Sequence, residues 1–258
     1  MTSAEQDWRL FDYLADRYDE IYSVFAEFGR QLVDYACPTP GTRLLDVGAG
    51  RGAVTKPALT RGCLITAIDA APRMVALLTS EMPQITVCKM DANQLEFPDA
   101  SFDMVTAGMV VDILHDPAAT IRQIHRVLVP GGIFALSVSG PVHDRWQWLI
   151  RLSAEFEQLS SPSVVTPAQH GKVITLLTDV GFIELTHKYT QVTQPVSDPP
   201  TLWNQLKSEG LTEWLRLLPA ERAIEFRNRV FDQAAHMHTN GGIIRCPTAI
   251  LYRARRAH

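Results

Sequence analysis

From Asp7 to Ala36 the apolar and aromatic positions, among them Phe11, Leu14, Tyr18, Ile21, Tyr22, Phe25 and Phe28, recur at helical spacing. That stretch predicts one or two amphipathic helices. Pro38 and Pro40-Gly41 break the pattern, and Arg43 to Val47 is a short apolar run leading straight into glycine, which predicts a buried strand. Two periods alternate from there. Helices are predicted over 53–60, 72–81 and 118–127, with Pro57 placed to kink the first. Strands are predicted over 64–69, 85–90, 104–108 and, after a Pro130-Gly131-Gly132 turn, 133–138. Alternation of this kind implies an α/β fold: a doubly wound, Rossmann-like, mostly parallel sheet covered on both faces, here of seven strands.

The later pattern is less regular. Asp144 to Leu159 reads as a helix outside the repeat, and Ala168 to Val180, Gly181 and Phe182 to Tyr189 resume the helix and strand alternation. Pro195, Pro199 and Pro200 mark a loop, Leu202 to Met237 reads as helical with a break near Pro219, and Thr248 to Arg253 supplies a last strand. The expectation is one domain over 1–258, with a helical lid at 1–40 and helical insertions at 144–165 and 199–240.

Composition narrows the classes. A 46% hydrophobic and 20% charged chain of 258 residues matches a soluble globular protein and excludes a disordered one. With a net charge of -4 there is no basic face for nucleic acid, and Arg253, Arg255 and Arg256 read as a solvated tail. Cys37, Cys63, Cys88 and Cys246 lack zinc spacing and read as isolated buried thiols, and His236 and His238 have no evident metal partners. No leader pattern or long apolar run occurs, which predicts a cytoplasmic protein, a monomer or homodimer, without membrane or nucleic-acid partners.

The candidate chemistry sits where the first strand meets its helix. Gly48, Gly50 and Gly52 let backbone approach a nucleotide, and Asp46 precedes them inside the strand end. The spacing G-x-G-x-G differs from the dinucleotide fingerprint G-x-G-x-x-G, which disfavours NAD. About twenty residues on, Asp69 ends the second strand, where a carboxylate can accept hydrogen bonds from both ribose hydroxyls. Asp91 ends the third strand, near an adenine, with Ala92 offering a backbone N–H. Asp103 reads as a turn residue ahead of the fourth strand.

Four motifs, LLDVGAGRG at Leu44, AIDAAPRM at Ala67, MDANQLEFPDASFDMV at Met90 and ILHDPAATIRQIHRVLVPGGIFALS at Ile113, stand in order over roughly Tyr18 to Ser139. In these the chain resembles the class I S-adenosylmethionine-dependent methyltransferases, especially the small-molecule branch related to ubiquinone and menaquinone biosynthesis. The resemblance implies S-adenosylmethionine as cofactor. Asp46 and Gly48, Ala49 and Gly50 are then expected to hold its methionine part, Asp69 with Ala70 its ribose, and Met74, Asp91 and Ala92 its adenine. Gly108 and Met109 complete the cofactor set, and Tyr18, in a lid-like N-terminal segment, is expected near the cofactor carboxylate.

The implied reaction is methyl transfer to a small, hydrophobic or aromatic metabolite, on oxygen, nitrogen or carbon. A hydroxyl acceptor needs a base, for which Asp112, His143 and His170 are candidates. His115 stands one position away from the family's usual histidine and is given no role. Trp146, Trp148, Trp203 and Trp214, all in the two insertions, suit either an apolar acceptor pocket or ordinary packing. A same-fold enzyme catalysing cyclisation or decarboxylation, and a binding module without turnover, would carry the same cofactor motifs.

Overall fold

The computed structural model describes residues 4–156 and 167–258. The chain folds as two compact units, one of Met1–Gly140, Pro167–Thr190 and Ala249–His258, the other of Pro141–Thr166 and Gln191–Thr248.

The first unit is built on a sheet of β1 (Arg43–Val47), β2 (Leu64–Asp69), β3 (Thr86–Lys89), β4 (Phe102–Gly108), β5 (Leu128–Ser139), β6 (Phe182–Gln191) and β9 (Thr248–Arg256), in the order β3-β2-β1-β4-β5-β9-β6. The pairs among β1 to β5 are parallel, and β9 runs antiparallel to β5. Leu44, Leu45 and Val47 of β1 are fully buried, as a strand covered on both faces requires. A single core joins Val105 of β4 and Phe134 and Leu136 of β5 to Ile121, Ile124 and Val127 of α6 (Pro117–Val127) and to Leu177 of α8 (Pro167–Val180). Helix α6 starts where its sequence says it should: Asp116 accepts from the Ala119 N–H at 2.9 Å, and Pro117 occupies the first turn.

The N-terminal stretch forms more pieces than predicted. It runs as α1 (Ala4–Leu14), a 3-10 turn (Ala15–Arg17), α2 (Tyr18–Ile21) and α3 (Val24–Ala36). Trp8, Phe11 and Tyr18 pack with Ala71, Met74 and Leu77 at α5 (Pro72–Glu81), which follows α4 (Thr55–Thr60).

Four expectations for this unit are corrected. Asp103 lies within β4, not ahead of it, and pairs with Arg43 at the start of β1 (2.6 Å), which lowers its pKa. The Pro130-Gly131-Gly132 triplet is part of β5: pairing jumps from Phe102↔Leu128 to Met104↔Ile133, so the extra residues bulge while the strand continues. Cys37 is exposed, and it follows the end of α3 in the left-handed conformation. The C-terminal arginines are not a loose tail, since Arg253 to Arg256 belong to β9, where Arg255 pairs with Glu184 at 2.8 Å and Arg256 donates to the Arg126 carbonyl at 3.0 Å.

The second unit contains a 3-10 turn (Asp144–Trp146), α7 (Gln147–Phe156), α9 (Pro199–Leu206), a π-helical turn (Lys207–Leu211), α10 (Thr212–Leu215) and α11 (Ala220–Thr239). The end of the predicted 144–159 helix, and the rest of the 144–165 insertion beyond it, lie outside the described residues. Pro195 stands in a short strand, β7 (Gln194–Val196), paired antiparallel with β8 (Ile243–Arg245), and not in a loop; an edge strand tolerates proline. Trp146 packs with Leu202 and Met237, and Trp203 with Leu152, Phe226 and Val230, while Trp148 touches both groups. The tryptophans therefore build the interior of this unit.

Candidate cofactor site

Strand β1 delivers Asp46 and Val47 to a turn of which the backbone demands glycine. Gly48 and Gly50 have φ of +66° and +52°, and a Cβ on Gly48 would stand 2.4 Å from Val110 Cγ2. The turn is tied to β2, because the Ala49 N–H donates to the Ile68 carbonyl at 2.9 Å. At the end of β2, Asp69 Oδ2 accepts from the Gly50 N–H (2.8 Å) and Oδ1 from the Ala71 N–H (2.9 Å). Burial raises its pKa and these backbone donors oppose the rise. A carboxylate has about four acceptor positions, so about two remain for ligand hydroxyls.

Two cavities open around this turn. One, of about 600 Å³, is lined by Asp69, Ala70, Met74, Asp91 and Ala92 among others. The second, of about 420 Å³, is lined by Asp46, Ala49 and Arg51 and by Tyr22, Phe25 and Gly29 of the N-terminal helices. Tyr18, Gly48, Gly50, Gly108 and Met109 line both. The structure thus brings every cofactor-binding residue expected from the sequence to one of two cavities that share a wall. The larger suits a nucleoside and the smaller an amino-acid tail, and the glycine turn admits backbone contact with both.

Tyr18 stands among Phe11, Tyr22 and Phe25, with ring centroids 6.2, 4.9 and 6.1 Å away. Burial, then Tyr22, pushes its pKa up, so its hydroxyl keeps its proton at neutral pH and remains a donor. Asp91 closes a turn by accepting from the Asn93 N–H at 2.9 Å, two residues past β3. Met109 follows β4 with φ +57°, a backbone conformation L-residues rarely adopt, and its N–H donates to the Ser137 carbonyl at 3.0 Å.

Asp46 is 1% exposed and accepts from the Thr55 hydroxyl at 2.6 Å and the Thr106 hydroxyl at 2.9 Å. Burial pushes its pKa up to about 6 despite those bonds. A carboxyl raised in the folded state favours folding most at low pH, and that contribution is lost as pH rises through 6. Asp46→Asn, in which one threonine hydroxyl turns to accept from the amide, is therefore expected to gain stability over wild type as pH rises from about 5 to 8, by about 1.4 kcal/mol, most of it below about pH 7. Urea unfolding of both proteins across that range checks it, and a difference independent of pH contradicts it.

The expected catalytic residues are placed less favourably. Asp112, in a 3-10 turn (Val111–Ile113) after β4, accepts from the Ser139 N–H at 3.1 Å. His143, in the second unit, caps the Asp144–Trp146 turn with Nδ1 accepting from the Arg145 N–H at 3.2 Å. His170 does not line the cofactor cavities: it lies on α8 with Nδ1 2.6 Å from the Tyr252 hydroxyl of β9 and its ring 4.6 Å from that of His187. Among the described residues no three His, Cys, Asp or Glu side chains converge as metal ligands. Sequence reading passed over Arg51, although a charge inside the glycine turn was visible. It also passed over Trp8 and Lys89, which line the larger cavity and which only the fold brings together, with Lys89 Nζ 5.9 Å from the Trp8 ring.

The nocamycin O-methyltransferase of Saccharothrix syringae is 30% identical to the chain over 94% of its length and 95% of that relative's. The chain is a class I S-adenosylmethionine-dependent methyltransferase. A family described as Methyltransferase domain matches residues 45–136 of this methyltransferase, from β1 into β5, and its cofactor is S-adenosylmethionine. The malonyl-[acyl-carrier protein] O-methyltransferase of Serratia marcescens is 30% identical over 53% of the methyltransferase and 56% of that relative, so here the likeness spans about half of each chain. Among solved structures the [4+2]-cyclase SpnF superposes with a TM-score of 0.63 at 17% identity, covering 100% of this chain and 98% of that one, which shows a shared fold. Among the described residues no helix is long and apolar enough to cross a membrane.

Proposed function

We propose that this methyltransferase methylates an oxygen of a small, hydrophobic or aromatic secondary metabolite, and that this oxygen is already ionised at neutral pH, as in a carboxylate or an acidic enol. The observation that carries the reading is the pair of cavities meeting at Tyr18, Gly48, Gly50, Gly108 and Met109. Asp69 and Ala70 hold the ribose, Met74, Asp91 and Ala92 the adenine, and Asp46, Gly48, Ala49 and Gly50 the methionine part. The shared wall is where the sulfur belongs. Bound there, the cofactor supplies an electrophilic methyl on a cationic sulfur that leaves by in-line displacement. The protein's share is then positioning and exclusion of water.

The ionised acceptor follows from how the candidate bases are engaged. The Nδ1 lone pair of His143 accepts an N–H, so in the neutral ring the proton sits on Nε2 and no free lone pair remains. Asp112, His143 and His170 all stand outside the lining of both cavities. Both relatives named above carry O-methyltransferase in their names, which supports oxygen over nitrogen or carbon. The insertions at 144–165 and 199–240 are assigned acceptor choice, the 1–40 segment the part of a lid, and the protein a cytoplasmic location as monomer or homodimer.

Incubation with a panel of carboxylic acids, enols and phenols and labelled cofactor tests the reading. The expected product gains one methyl group, and for a carboxylic acid it loses that group again in mild alkali, as esters do and aryl ethers do not. Turnover is expected to stay level between about pH 6.5 and 9. A rise in kcat through a single ionisation in that range would mark a general base and overturn the ionised acceptor, while conversion without methyl gain would favour the cyclisation or decarboxylation reading.

A further inference from the structure

Arg51 stands between Gly50 and Gly52 and lines the smaller cavity. Its side chain is 16% exposed, its Nη2 bonds Glu81, and its Nε lies 3.6 Å from Asp19. Nη1 is buried and has no hydrogen-bond partner among the described residues. A buried guanidinium nitrogen left without an acceptor is costly, and in a native structure it calls for an explanation such as a ligand. Lys56 shares Glu81 with Arg51 at 3.3 Å, and the second carboxylate, Asp19, is largely exposed and screened by solvent.

We propose that Arg51 binds the carboxylate of the cofactor's methionine part through Nη1. The inference rests on the cofactor reading given above and adds to it the group that recognises the far end of the ligand. The glycine turn supplies N–H donors without charge, and Tyr18 supplies a neutral hydroxyl; Arg51 is the cation in that turn. Glu81 and Asp19 fix the other face of the guanidinium, so the nitrogen is oriented before the ligand arrives and little side-chain freedom is lost on binding.

The test compares two ligands that differ in the group concerned. S-adenosylhomocysteine carries the amino-acid tail, and 5′-methylthioadenosine keeps the nucleoside and sulfur but lacks it. Calorimetry on the wild type is expected to show S-adenosylhomocysteine binding more tightly. In Arg51→Met its affinity is expected to fall about 10- to 100-fold, as loss of a charge-assisted hydrogen bond implies, with 5′-methylthioadenosine affinity unchanged. Arg51→Lys, which keeps one cationic nitrogen, is expected to fall between the two. Unchanged binding of 5′-methylthioadenosine also reports that the variant is folded. If Arg51→Met weakens both ligands alike, Arg51 merely shapes the loop and the proposal is overturned; it is equally overturned if neither weakens, or if the wild type binds both ligands equally. Failure of the wild type to bind either ligand would instead contradict the cofactor reading itself.

Discussion

Asp69→Ala is expected to bind S-adenosylhomocysteine at least about 100-fold more weakly than wild type while remaining folded. Each charge-assisted hydrogen bond from a ribose hydroxyl is worth about 1.5–3 kcal/mol, and two are lost together. The substitution also frees the Gly50 and Ala71 N–H groups, which the carboxylate ties at 2.8 and 2.9 Å, so the glycine turn keeps only its Ala49 N–H bond to the end of β2. Asp69→Asn keeps one acceptor oxygen and should fall between. Calorimetric titration with circular dichroism on the same samples decides the matter. A folded Asp69→Ala protein with wild-type affinity would remove the ribose assignment.

Gly29→Ala is expected to cost about 3 kcal/mol of folding stability, near the upper end for overpacking. A Cβ on Gly29 would stand 2.1 Å from the Ala53 carbonyl oxygen and 2.4 Å from its carbon, and backbone cannot swing aside as a side chain can. Helix α3 must therefore move away from the segment that follows the glycine turn, carrying Phe25 and Tyr22 with it. For a chain of this size the loss corresponds to a melting temperature lower by roughly 6–12 °C. Gly171→Ala supplies the control of opposite sign, because Gly171 lies in α8 and its added Cβ would meet nothing within 4 Å. There the gain in helix propensity should add about 0.5–1 kcal/mol. Melting curves of both variants check the pair, and a Gly29→Ala protein as stable as wild type would refute the close approach.

The half of the chain with a strict period was readable in advance. β2 and α5 fall on the predicted residues because glycine and proline punctuate them on both sides and their apolar positions are unbroken. The cofactor residues were readable for a related reason: they stand at strand ends, and the ends of parallel strands share one edge of the sheet. Asp103 was misplaced because its strand begins on an ion pair with Arg43, sixty residues away, which no local pattern encodes. Pro195 was misplaced because its strand partner, Ile244, is also far away in sequence. His170 was proposed on residue type alone, and only the fold reveals that its neighbours are His187 and Tyr252.

The position of β9 bears on how the chain is made. It lies between β5 and β6 and pairs with β5 from Ile133↔Arg255 to Ser139↔Ala249. A nascent chain leaving the ribosome thus presents the edge of β5 roughly a hundred residues before its partner is synthesised, an interval of about 5–20 s at ordinary elongation rates. An open, apolar strand edge is a template for pairing with a neighbouring chain. Slow codons or a stalled ribosome just upstream of Thr248 should therefore lower the soluble yield of this enzyme more than the same delay placed upstream of Leu128, before the β5 edge exists.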